Sequence, residues 1–186
     1  MRSIRDLQPD ELKGKRVLIR AGFDVPLNAQ GEVADLFRVR RSAETIKYLQ
    51  SAGARVIILS HIGRDPEETN APVARALNTE LPVTFIQDLT GPVAHAAVSA
   101  MRDGEAIMLE NLRRDPRETK NDASFAKELA ELGDLYVGDA FSAAHRAHAS
   151  IVGIPTFLPH YAGLLMDAEV RELSQARSPQ HPSFAI

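Results

Sequence analysis

The chain has 186 residues, a formal net charge of −3, 44% apolar and 25% charged residues, and neither cysteine nor tryptophan. That balance describes one ordinary globular domain with enough chain to bury a sizeable core. Disulfides, thiolate metal sites and a cysteine nucleophile are excluded, and the mild acidity with few aromatics argues against a nucleic-acid partner. An acidic start (Asp6, Asp10, Glu11) does not suit a signal peptide. No run approaches the ~18 apolar residues of a membrane span. A cytoplasmic protein with no membrane partner is the expectation.

Taken in chain order, strand-like runs fall at 16–20, 55–59, 83–86, 106–109 and 135–137. They are rich in Val, Ile and Leu and do not alternate with polar residues, as expected of a sheet covered on both faces. Helical patterns fill the gaps. Residues 39–52 set Val39, Ala43, Ile46 and Leu49 on one stripe, with Gly53 where a C-terminal cap belongs. Residues 72–80 open on Pro72 and residues 92–102 on Pro92, both suited to a first helical turn. Asp122 predicts an N-cap for Ser124–Leu132, which Gly133 would close. A last helix is expected over Ala162–Ala176. Strand–helix alternation at this spacing implies βαβ units, hence an α/β fold: a Rossmann-like three-layer α/β/α sandwich around a mostly parallel sheet.

Four of these strands run into polar turns, and those turns carry basic groups. The first strand leads through Gly22-Phe23-Asp24 to Arg38 at the start of the next helix. The second leads to Ser60-His61-Ile62-Gly63-Arg64, the fourth to Glu110-Asn-Leu-Arg113, and the fifth to Asp139-Ala-Phe-Ser-Ala-Ala-His-Arg146. Ligands of open parallel sheets sit beyond the carboxyl ends of the strands. Guanidinium groups delivered there and converging on one hollow would clamp a small, multiply charged anion. Singly, an arginine after a strand is a solvated surface group; four in this arrangement read as a set.

Other features have plainer readings. His145 and His148 lie three apart with no third ligand in reach by sequence, so packing or a hydrogen bond is expected rather than a metal site. Glu110 is expected to pair with a neighbouring arginine. Beyond Arg113, the charged run to Lys120 reads as a solvated loop, and Met101, Met108 and Met166 as core filling. Gly63 reads as a turn glycine. Residues 177–182 look like a linker, and 183–186 like the opening of a buried strand. The expected division is therefore an α/β domain over 1–165, with 166–186 leading into a second domain.

The run Tyr136-Val-Gly-Asp-Ala-Phe-Ser-Ala-Ala-His-Arg-Ala-His-Ala-Ser150 is the most specific segment. With Phe23-Asp-Val-Pro-Leu27, Ser60-His-Ile-Gly-Arg64, Leu109-Glu-Asn-Leu-Arg113 and Ala162-Gly-Leu-Leu-Met166, it closely resembles phosphoglycerate kinase over that family's N-terminal half. The resemblance implies a two-domain, hinge-bending glycolytic kinase that transfers a phosphoryl group between 1,3-bisphosphoglycerate and ADP. Its N-terminal domain holds 3-phosphoglycerate, and its C-terminal domain holds magnesium with ATP or ADP. By position, Arg38, His61, Arg64, Arg113 and Arg146 match the family's basic patch. Arg38 matches the arginine credited with stabilising the phosphoryl group in transit, the one catalytic assignment. Gly22, Phe23 and Asp24 occupy the substrate-orienting loop, and Ile62 and Gly63 complete the turn around His61. The chain alone would then bind no cofactor or metal and would be inactive without a nucleotide domain in cis or in trans.

The chain also departs from the family. Most members carry Asp-Phe-Asn where this chain has Gly22-Phe23-Asp24, so one acceptor carboxylate is lost and one negative charge is gained. Phe37, Glu44, Asp65, Arg114, Gly138 and Ser142 are further departures at helix starts and loops. A non-catalytic anion-binding or interaction module that kept the fold is therefore the alternative function.

Overall fold

A computed structural model describes residues 2–176, and the linker and strand expected within 177–186 lie outside the described residues. Six strands form one sheet: β1 (Arg16–Ala21), β2 (Arg55–Leu59), β3 (Thr84–Ile86), β4 (Ala106–Leu109), β5 (Leu135–Asp139) and β6 (His160–Ala162). Their spatial order is β3-β4-β2-β1-β5-β6, and every pairing is parallel. The helices are α1 (Pro9–Leu12), α2 (Phe37–Ser51), α3 (Ala71–Leu77), α4 (Pro92–Ala100), α5 (Ala123–Ala130) and α6 (Leu164–Ala176).

Strand side chains alternate between the two faces, and the two halves of the core follow that alternation. Val17, Ile19, Val56, Ile58, Met108 and Val137 pack with Val39, Ile46 and Leu49 of α2 and Val73 and Leu77 of α3. Leu18, Ile57, Leu59, Ile107, Leu109 and Tyr136 pack with Ala94 and Val98 of α4 and Phe125 and Leu129 of α5. The three-layer architecture expected from the apolar runs is what these clusters build. The strand most exposed to misreading is β6, whose three residues pair only with β5 and a single bridge from Ser3 to Ala162. Its last residue, Ala162, falls within the span expected for the last helix, which starts at Leu164 instead. The boundary drawn between 165 and 166 therefore falls in the first turn of α6.

Helix ends mostly follow their local chemistry. Gly53 takes φ +75° just after α2, and the Asp122 side chain accepts the backbone N–H groups of Ser124 and Phe125. Gly133 corrects the expectation. It follows α5 without a left-handed φ, and a Cβ there would lie 2.6 Å from Leu18 Cγ. This glycine lets the turn press against β1. Among the described residues, no helix is long and apolar enough to cross a membrane.

Candidate anion site at the carboxyl edge of the sheet

The turns after β1, β2 and β4 are stitched together by buried polar groups. Ser60 Oγ accepts from Phe23 N at 3.2 Å and donates to the Ala21 carbonyl at 3.2 Å. The fully buried Asn111 amide donates to the carbonyls of Ile62 (3.0 Å) and Glu68 (2.9 Å), tying the β4 turn to the β2 turn. Glu110 is buried as well. It accepts from Thr69 Oγ1, Asn70 N and Asn111 N, and pairs with Arg114 at 3.3 Å as expected.

On this frame, Phe23 and Ile62 are core residues, and Asp24, His61, Gly63 and Arg113 face one another. Asp24 Oδ1 accepts the Gly63 N–H at 3.1 Å, and Asp24 Oδ2 lies 3.7 Å from His61 Nε2. The Arg113 guanidinium donates to the Gly63 carbonyl, while its Nε is buried without a partner. Gly63 has φ +61°, a backbone conformation that favours glycine, and a Cβ there would displace the Glu68 carboxylate. Arg64 and Arg113 line a hollow of about 450 Å³ together with Arg114 and Thr119.

Charge coupling reveals the rest of the cluster. Burial, then the Arg20, Arg113 and Arg146 charges, pushes His61 down to about 3, so the ring is neutral and its contact with Asp24 is not an ion pair. Burial and the Arg146 charge likewise lower Arg113, Asp24 opposes the shift, and Arg64 adds to it. Arg146 is thus close enough to act on both groups from its half-buried place after β5.

Arg38 sits apart. It is exposed in the first turn of α2, where its guanidinium donates to the Asp24 carbonyl at 2.9 Å. It lines a separate hollow of about 240 Å³ with Gly22, Phe37, Arg41, Asp139 and Ser142. The expected single hollow is therefore two neighbouring ones. Arg38 is drawn onto the backbone of Asp24, whose side chain closes on the β2 turn.

Two important groups escaped sequence reasoning, Arg20 and Glu118. Arg20 lies within β1 and is fully buried on the face that carries Leu18. Its Nε donates to Ser150 Oγ at 3.1 Å and its terminal nitrogen to His61 Nδ1. Glu118 corrects the solvated-loop expectation for 114–120: it is 1% exposed, accepts from Ser150 N (2.9 Å) and Ser150 Oγ (2.5 Å), and offsets the Arg20 charge. His148 Nδ1 lies 3.7 Å from the same carboxylate, while His145 is exposed. The signal available was an arginine standing alone inside an apolar strand, a position that forces burial and hence a partner.

The phosphoglycerate kinase family model matches residues 4–186. A phosphoglycerate kinase of Coprothermobacter proteolyticus is 45% identical, covering 100% of this chain and 49% of the relative. One of Herpetosiphon aurantiacus is 48% identical over 93% of this chain and 46% of the relative. Among solved structures, phosphoglycerate kinase from Pyrococcus horikoshii superposes with a TM-score of 0.90 at 31% identity, covering 98% of this chain and 47% of that one. The Coxiella burnetii enzyme gives 0.84 at 38% identity, covering 97% and 46%. The chain spans about half the length of the curated relatives it matches. With the parallel sheet and its basic carboxyl edge, these matches mean that the chain belongs to the phosphoglycerate kinase family.

Proposed function

We propose that this chain is the phosphoglycerate-binding half of a phosphoglycerate kinase, which transfers a phosphoryl group reversibly between 1,3-bisphosphoglycerate and ADP with a carboxyl group as acceptor. The observation that carries the proposal is a pair of donors. His61 Nε2 and Arg113 Nε are both buried and unpartnered within a field of guanidinium groups. Buried donors are costly to leave unpaired, and an anionic ligand at this edge would satisfy them.

The residues divide the work by chemistry. His61, Arg64, Arg113 and Arg146 would hold the phosphate end by charge-assisted hydrogen bonds. Gly22, Phe23 and Asp24 would set the carboxylate and hydroxyl end. Arg38 would meet charge on the phosphoryl group in transit, because such reactions ask mainly for positioning and electrostatic stabilisation. The family uses a nucleotide with magnesium. No group of three or more His, Asp or Glu side chains able to grip a metal ion occurs among the described residues. We assign magnesium–nucleotide to a second domain, in cis or in trans, on the ground that the relatives are about twice the length they share with this chain. A cytoplasmic glycolytic role goes with this reading.

Calorimetric titration with 3-phosphoglycerate and with ATP tests the proposal. Salt-sensitive binding of 3-phosphoglycerate without binding of ATP is expected; tight ATP binding alone overturns it. A second reading, an anion-binding module without turnover, is favoured by one contact: the Asp24 carboxylate already occupies the Gly63 N–H. Fusion to a matching nucleotide domain followed by an assay of ADP phosphorylation separates the two.

A further inference from the structure

Asp139 is the last residue of β5 and is fully buried. Its Oδ1 accepts the backbone N–H groups of Leu165 and Met166, both at 3.0 Å, so it caps the first turn of α6 from another element. Its Oδ2 has no hydrogen-bond partner, and neither does the buried Thr45 Oγ1 of α2. The Thr45 hydroxyl nevertheless lies close enough to act on the Asp139 carboxyl. Thr45 stands two turns along α2 from Arg38. A Cβ on Gly163 would lie 2.2 Å from Asp139 Oδ1, so the approach of α6 to this carboxyl requires a glycine.

We propose that Asp139 is a positioning residue, a buried keystone that locks the start of α6 to β5 beside the helix carrying Arg38. The hollow beside Arg38 is walled by all three parts: Arg38 and Arg41 from α2, Asp139 and Ser142 from the β5 turn, and Leu165 and Glu169 from α6. A shift of α6 along its axis would therefore change the shape of that hollow.

The groups facing the carboxyl define how it responds to protons. From α2 come Thr45 and, more distantly, Glu44, whose charge discourages ionisation; from α6 come the two N–H groups, which favour it. Arg38, Arg41 and Glu169 face the adjoining hollow. Burial dominates and raises the Asp139 carboxyl to about 6.

The test compares Asp139→Asn and Asp139→Ala with the unmodified chain. Asparagine keeps an acceptor for both α6 N–H groups; alanine does not. Hydrogen exchange at the Leu165 and Met166 amides should accelerate at least ~10-fold in Asp139→Ala and stay within ~2-fold in Asp139→Asn. In the unmodified chain, the same two amide resonances should move with a midpoint near pH 6, and the step should vanish in Asp139→Asn. Unchanged exchange in Asp139→Ala, or equal loss in both variants, overturns the proposal. Should Asp139→Ala not fold, Thr45→Val removes only the buried α2 hydroxyl beside the carboxyl. It should shift the Arg38 Nε resonance while leaving the α6 amides protected, and no shift there overturns the keystone role. The role in phosphoryl transfer rests on the function proposed above, but these readouts need no ligand. Absence of 3-phosphoglycerate binding would sink that function without touching this result.

Discussion

The Arg20 guanidinium donates to His61 Nδ1, which leaves the ring proton of His61 on Nε2, 3.7 Å from Asp24 Oδ2. Because an arginine can only donate, the tautomer follows from the contact. Arg20, deep in β1, thereby aims a neutral N–H donor at the anion site.

His61 should therefore stay neutral across the working range. Its value falls from 6.5 to about 3, chiefly through burial. The folded state resists a proton that the unfolded chain accepts below 6.5, so this group removes stability as pH falls from 6.5 towards 3. The loss should reach about 2 kcal/mol by pH 5. Nitrogen resonances of the ring that do not titrate between pH 5 and 8, with the proton on Nε2, are the expected observation. A midpoint near 6.5 would contradict it.

Asp24→Asn should tighten anion binding. A unit charge ~4 Å from a ligand oxygen opposes it by up to ~4 kcal/mol at an effective dielectric of ~20. An amide keeps the acceptor for the Gly63 N–H and removes that charge. A gain of ~10-fold or more in 3-phosphoglycerate affinity is expected by calorimetry. Gly22→Asp should be tolerated in the same background, since the nearest atoms to a Cβ there are those of Ala140 at 3.6 and 3.7 Å.

Glu118→Ala should cost about 3 kcal/mol in denaturant unfolding, because it leaves a buried arginine without its compensating charge. The removed carboxylate also strands Ser150, whose N–H and hydroxyl both donate to it. Replacing Arg20 by Met in the same chain should recover part of that loss. If the two substitutions simply add, the proposed coupling through Ser150 is absent.

Gly133→Ala should destabilise by about 1–3 kcal/mol through overpacking. Its new methyl would meet Leu18 Cγ at 2.6 Å and Leu18 Cδ1 at 2.9 Å. Leu18 is wholly buried between layers and has nowhere to turn. A thermal melt is sufficient, and an unchanged midpoint would show that the α5–β5 turn can yield.

The layered architecture was legible because β1, β2 and β4 are apolar runs interrupted within only by Arg20, a pattern expected of a doubly covered sheet. Arg64 and Arg113 were legible for the same reason, since each follows a strand end. β6 was not, because His160-Tyr-Ala162 carries no strand pattern and exists through its pairing with β5. Glu118 looked like its charged neighbours, and only the return of Ser150 over β1 turns it inward. Asp139 was read as the opening of a loop. Its partners at 165 and 166 are remote in sequence, and caps supplied from another element leave no local trace.

The placement of β1 between β2 and β5 bears on how the polypeptide acquires its shape. Arg16 at the start of the first strand binds Asp134, 118 positions later, through its backbone N–H and its guanidinium. Such distant partners slow the search, and a nascent chain is delivered from its amino end. During synthesis, β1 can gain β2 early but must wait for the fifth strand before its other edge is covered. Until the ribosome has released Leu135–Asp139, one flank of the central strand stays open, and that interval is when a chaperone would have most to protect.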